Sequence, residues 1–171
     1  MLKKLSERAC ENSIKAIACG DNEALSVIYD KMHRAILSVA WSVVKNTHDA
    51  EDVLQNTLCE ILRCAKSYGG GNAHAWILSI ARNQAYNLIR KNQKEAPAEV
   101  LSAVSADTDA EARYIYLEAL STLSDKEREV IVLKVYCKCK HKEIAEILDI
   151  TAAASEKLYQ RGVGKLKKYY D

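Results

Sequence analysis

Phenylalanine is absent from this chain, proline occurs once and glycine six times. So few turn-forming residues exclude a fold of many short strands and favour helices. Long apolar runs are missing as well. The longest strongly apolar stretch, AILSVAWSVV at 35–44, is half the length of about 20 residues that a bilayer-spanning helix needs. The opening MLKKLSERACENSIK carries charges but no apolar centre, so it does not read as a signal peptide. The expectation is a cytoplasmic protein with no membrane insertion. Excess charge is lacking too. A net charge of +2 gives no whole-molecule basic field, so any contact with nucleic acid must come from local patches. No nucleophile–base pair, phosphate-binding glycine loop or paired-carboxylate spacing stands out, which argues against an enzyme and against a cofactor.

Six cysteines are present. Without an export signal they are expected to be reduced. Cys59 and Cys64 fit a helix as small buried residues. Cys137, Cys139 and His141 could converge on a metal only from an extended loop. They lack a CxxC pair and a fourth ligand, so an ordinary connection between helices is expected there and no metal.

What the chain does have is helical periodicity. From Asp21 to about Asn46, Leu25, Ile28, Met32, Ile36, Val39 and Val43 recur at helical spacing. Asn46 or Thr47 can cap a following helix, whose core face is expected at Val53, Leu54, Leu58, Ile61, Leu62 and Ala65. That helix opens with DAEDVLQ, Asp49 to Gln55. Acids in a first turn complement the helix dipole, and the same carboxylates also make a surface for a basic protein. A turn at Gly69 to Gly71 leads to a helix starting near Asn72 or Ala73. Its expected core face is Trp76, Ile77, Ile80, Ala81 and Leu88. The other face carries Ser79, Arg82, Asn83, Tyr86 and Arg90, with Asn87 beside them. Arginine neutralises phosphate, asparagine bonds a base edge and tyrosine stacks on an unstacked base. A plain solvated face is the alternative.

Residues 93–109 contain the only proline, turn acidic and read as a linker. A helix is expected around Glu111 to Leu120. Ser124 and Glu127 then form a Ser-x-x-Glu capping box for a helix that buries Val130, Ile131, Leu133 and Val135. KEIAEILDI, Lys142 to Ile150, a turn at Asp149 and a last helix from about Thr151 complete a helix-turn-helix pattern. On that last helix Lys157, Arg161 and Lys165 recur every four residues. The expected fold is all-α: two small helical domains joined by a linker, with residues 1–92, 93–109 and 110–171 as first domain, linker and helix-turn-helix domain.

Together these segments resemble the extracytoplasmic-function sigma factors of bacterial RNA polymerase, from about Glu11 almost to the C-terminus. GDNEALSVIYDKMHRAILSVAWSVVKNTHDAEDVLQ is similar to the family's core-binding region, and AWILSIARNQAYNLIR to its minus-ten melting segment. LSTLSDKEREVIVLKVY with KEIAEILDI is similar to its minus-thirty-five domain. The resemblance implies that Asp49, Glu51, Asp52, Leu54 and Gln55 dock on the β′ clamp helices. It gives the loop from Lys66 to His74 the cradling of a flipped minus-ten base. It places Asn83 on promoter DNA with Arg82, Tyr86, Asn87 and Arg90 as neighbours. Thr151, Ser155, Lys157, Gln160, Arg161 and Lys165 are the candidates for minus-thirty-five DNA. Implied partners are core polymerase through its β′ and β subunits, promoter DNA and an anti-sigma factor.

The chain also departs from the family pattern. Asn87 stands where an Asp is usual. Ala154, Ser155 and Leu158 replace a Thr-Val pair and an Arg, and of a later Arg-Ala-Arg run only Arg161 survives, before Gly162 and Val163. Glu156 adds a charge that repels phosphate. These changes keep open a diverged regulator with weakened promoter reading, beside a stand-alone helix-turn-helix regulator. The acidic patch counts against the latter, because a free DNA binder has no evident use for it.

Overall fold

Asn46 shows how this chain makes its helices. Its backbone is extended, and its side-chain oxygen accepts the N–H groups of His48 at 2.8 Å and Asp49 at 3.3 Å, donors that a helix start otherwise leaves unbonded. One residue earlier, Lys45 takes a left-handed conformation and closes the preceding helix on the Trp41 carbonyl. Two residues thus turn α2 (Leu25–Val44) back along α3 (Thr47–Cys64) as a tight antiparallel pair. The structure, a computed structural model, describes residues 2–92 and 118–170, with side chains at 5–92 and 118–169. The described residues form helices and turns, in two units divided at Lys91 and Asn92. The linker expected at 93–109 and the start of the helix expected at Glu111 lie outside them, while 118–121 are helical.

The first unit adds α1 (Leu2–Ala18) and α4 (Ala73–Asn92) to that pair. Ile28, Ile36, Val53, Ile61 and Ile77 are fully buried. Each such side chain contributes about 1.5–3 kcal/mol relative to exposure. α1, which the sequence reading passed over, buries Cys10, Ile14 and Ile17 at steps of four and three. Three expectations shift in detail. Leu62 is exposed and Leu58 half-buried, and the inward slot between Val53 and Ile61 belongs to Thr57, whose hydroxyl donates to the Val53 carbonyl. Cys59 is exposed rather than buried. On α4 the fully inward residues are Ala73, Ile77, Leu78, Ala81 and Ala85, with Ile80, Leu88 and Trp76 half-buried.

In the second unit the capping box is present. Ser124 Oγ accepts from the Glu127 N–H, and the Glu127 carboxylate accepts from the Ser124 N–H, starting α5 (Asp125–Ile131). α5 widens into a π-helical turn, Val132–Tyr136, which leaves Val135 exposed where the sequence suggested burial. Lys138, in a left-handed conformation, ends it, and the Cys139 N–H returns to the Leu133 carbonyl. α6 (His141–Leu148) starts at Lys140, whose N–H donates to Glu143; lysine has no acceptor, so only this half of a capping box exists. Asp149 takes the left-handed turn position, and α7 (Ala152–Tyr170) follows. Aspartate accepts that backbone better than most residues other than glycine and asparagine.

Candidate functional site

Because α3 buries Ala50, Val53, Leu54 and Thr57, helical geometry turns Glu51, Asp52 and Gln55 outward, and all three are exposed. Asp49, half-buried, sits in the first turn, where its charge also suits the helix dipole. Leu54 departs from the expected surface patch. At 8% exposed it packs inward and supports the acidic face rather than forming part of it.

Between α3 and α4 the chain makes a short 3-10 turn, Ala65–Ser67, then reverses through Gly70 and Gly71 at φ +91° and +97°, where a side chain would be strained. Tyr68 fixes this loop. Its hydroxyl donates to the Gly71 carbonyl at 2.9 Å, and its ring meets Trp76 edge-on at 5.2 Å. Burial, then the charges of Glu11 and Glu7, push the Tyr68 hydroxyl up from its ordinary value, so it stays a protonated donor. Ser6 Oγ lies 3.4 Å from His74 Nε2 and ties α1 to the start of α4. Asn72 caps that start by accepting the Ala75 N–H.

Along α4, Asn83, Asn87 and Arg90 are exposed, while Arg82 and Tyr86 are half-buried. Arg82 lies over the Tyr86 ring at 4.7 Å, a cation–π contact worth about 0.5–2 kcal/mol. Tyr86 also packs beside the cluster of Ala40, Val43, Ala50, Val53 and Ala85. It is therefore a fixed shelf, part core and part surface. The Asn87 carbonyl oxygen accepts from Arg90 at 2.7 Å. The face thus offers an amide, a guanidinium and an aromatic plane, the groups that bind an unstacked base and its phosphate.

α7 differs more from expectation. Thr151 is exposed, but its hydroxyl accepts the Ala154 N–H and so caps the helix. Ser155 does not face outward. It is fully buried, with its hydroxyl 2.8 Å from His141 Nδ1, while the His141 ring meets Tyr159 at 5.7 Å. A buried hydroxyl held by a neighbouring helix cannot read a base edge, which corrects the expectation for this residue. Lys157, Gln160 and Arg161 are exposed. Lys165 reaches Glu127 at 2.7 Å. Gly162 is inward, and a Cβ there would meet Ile131 at 3.0 Å.

His141 engages Ser155, and Cys139 is buried with its thiol directed to the Cys137 carbonyl at 3.9 Å. Among the described residues no group of three or more His, Cys, Asp and Glu side chains could hold a metal ion. Burial pushes the Cys10 thiol up to about 11, against the pull of Lys31. No helix among the described residues is long and apolar enough to cross a membrane.

Residues 28–95 match the Sigma-70 region 2 family and residues 113–166 match Sigma-70, region 4. The RNA polymerase sigma factor CarQ of Myxococcus xanthus is 30% identical over 157 residues, spanning 87% of this chain and 90% of that protein. The chain belongs to the extracytoplasmic-function sigma factors. The sigma factor SigW of Bacillus subtilis is 28% identical over 184 residues, covering 95% of this chain and 97% of its own. The fold is shared with CnrH, solved in complex with the cytosolic domain of CnrY, at a TM-score of 0.75 and 22% identity over 95% of this chain and 97% of that one. It is also shared with RpoE from Bartonella quintana, solved with the anti-sigma factor NepR, at a TM-score of 0.71 and 22% identity over 82% and 94% of the two chains.

Within this sigma factor, sequence reasoning weighed His141 only as a metal ligand and missed its hold on the last helix, and it missed that Gly162 lets that helix approach α5. For His141 the available signal was a polar Ser155 in an inward slot, because a buried hydroxyl requires a partner. Glu127 was found as a cap but not as the partner of Lys165, since 38 residues separate them.

Proposed function

We propose that this sigma factor docks on core polymerase through the α3 face of Asp49, Glu51, Asp52 and Gln55. It then traps an opened minus-ten strand on α4 through Asn83, Arg82, Tyr86, Asn87 and Arg90. The supporting observation is the exposure of both faces on helices whose cores are otherwise closed. Duplex DNA hides base faces, so holding an extruded base between the segment from Lys66 to His74 and the rest of α4 stabilises the open strand. Phosphate contacts set position and base contacts set specificity. Polymerase performs the chemistry, and this chain supplies address and melting.

On α7 the outward groups left for upstream DNA are Thr151, Lys157, Gln160 and Arg161. Relatives solved with inhibitory partners support an anti-sigma factor for this chain as well. The chain's domains are proposed as residues 1–92, a linker at 93–109 and 110–171. Pull-down with purified core polymerase, followed by promoter-dependent transcription, tests the reading; failure to bind core overturns it. The second reading, a sigma-like regulator with weakened promoter reading, is favoured by the inward Ser155 and the engaged Lys165. Core binding without any promoter-dependent transcript would select it.

A further inference from the structure

Among the described residues of the second unit, an ion pair bridges α5 and α7. Lys165 Nζ lies 2.7 Å from Glu127 Oε2, with the glutamate side chain 6% exposed and the lysine 51%. The same carboxylate oxygen accepts from the Ser124 N–H at 3.0 Å. Burial alone would raise the Glu127 carboxyl; Lys165 and Ser124 together outweigh it and hold the group below its ordinary value, so it is charged.

Helix geometry explains why this member of the basic stripe reaches α5 while remaining half exposed. At 3.6 residues per turn, eight residues from Lys157 to Lys165 leave the two side chains about 80° apart around the axis. Ser155 and Gly162 mark the inward seam. Lys157 points roughly opposite that seam, whereas Lys165 lies about 60–80° from it, within reach of α5.

We propose that Glu127 sequesters Lys165, so that of the stripe Lys157, Arg161 and Lys165 only the first two meet the DNA backbone, beside the exposed Lys167 and Lys168 of the last turn. This rests on the reading of α7 as a DNA-facing helix. For Lys165 to reach a phosphate it would have to leave a buried carboxylate with the Ser124 N–H but without its countercharge. Glu127 is thus a positioning residue that sets how many phosphates the helix engages and so limits sequence-independent affinity.

The experiment measures binding of the full chain to a fluorescent duplex of arbitrary sequence as salt is raised. Each phosphate contact adds about 0.9 to the slope of log affinity against log salt. Glu127→Gln releases Lys165 and is expected to steepen the slope by about 0.9, an additional loss of about 3.5-fold between about 50 and 200 mM salt. Adding Lys165→Gln to that variant should restore the original slope. Lys157→Gln and Arg161→Gln should each flatten it by about 0.9. Glutamine still completes a Ser-x-x-Gln capping box, so the fold is expected to survive. If circular dichroism shows otherwise, Lys165→Gln alone decides. An unchanged slope supports sequestration, and a slope flattened by about 0.9 overturns it. If Lys157→Gln and Arg161→Gln flatten the slope while Glu127→Gln leaves it unchanged, sequestration fails and the DNA-facing reading stands. If neither flattens it, or the chain has no DNA affinity at low salt, the underlying reading of α7 fails.

Discussion

On α3 the acidic face and the core beneath it use different residues; on α7 three of the six residues expected to face DNA, Thr151, Ser155 and Lys165, are engaged within the domain. Glu51, Asp52 and Gln55 point away from Val53, Leu54 and Thr57, so the surface can change without touching the interior. On α7, Thr151 caps, Ser155 is buried against His141, Gly162 makes room for Ile131 and Lys165 holds Glu127. Four positions on a helix proposed to meet DNA therefore also hold their own domain together. A helix in this state tolerates less change, because altering its outer chemistry risks its packing.

The sharpest way to break this contrast is Asp52→Lys. Reversing an exposed charge at a charge-matched interface places like charges together, and the expected loss of core affinity is at least about 100-fold, or several kcal/mol. Thermal stability should stay within about 0.5 kcal/mol of the parent, as for most surface changes. Unchanged affinity in a core-polymerase binding titration would remove α3 as the dock. A large fall in stability would deny that its surface and core are separate.

Ser155→Ala is the matching change on α7. It strips a fully buried hydroxyl and leaves His141 Nδ1 without that partner, so a stability loss of about 1–3 kcal/mol is expected in urea unfolding. If stability holds and DNA affinity falls instead, Ser155 reads a base and is not the buried anchor of α7.

Glu127 gives the contrast a pH dependence. Its folded value is lowered, so the stability it contributes is complete above the ordinary value of 4.5 and is lost as pH falls through the lower folded value. Acid unfolding of the second unit, followed by tryptophan-independent probes such as far-ultraviolet dichroism, should be less steep below pH 4.5 in Glu127→Gln than in the parent. Identical acid profiles would show that the Lys165 pair does not support the fold.

These differences also explain what was legible in the sequence. Periodicity located α2, α3 and α4 and turned Asp52 and Asn83 outward, because strong apolar spacing fixes the opposite face as well. The same reasoning passed over α1, whose inward set of Cys10, Ile14 and Ile17 is sparse and includes a cysteine. The family resemblance sent Ser155 toward DNA, and nothing local corrected it, because a polar residue in an inward slot has the spacing of a core residue and the chemistry of a surface one. Pairing across 38 residues, as for Glu127 and Lys165, leaves no local signal at all. The outward placement of Glu51, Asp52, Gln55, Asn83, Asn87 and Arg90 could thus be read from spacing, whereas α7 needed coordinates.

The smallest expected effect separates two glycines of one helix. From sequence both look like the same defect, each costing about 1 kcal/mol against alanine in a helix interior. In the structure they differ. A Cβ on Gly164 has nothing within 4 Å, so Gly164→Ala should raise stability by about 0.4–1 kcal/mol, partly by restricting the unfolded chain. A Cβ on Gly162 meets Ile131 Cγ1 at 3.0 Å and Cδ1 at 3.2 Å, with Glu127 Cβ at 3.7 Å behind them. Ile131 is itself 2% exposed and closely surrounded, so it yields only by straining its neighbours. The crowding should cancel the helical gain, leaving Gly162→Ala at or below the parent in a thermal melt, whereas Gly164→Ala melts higher. Equal gains at both sites would mean that α7 can move off α5 without loss. The idea that its inner seam constrains its outer face would then fail at its most local point.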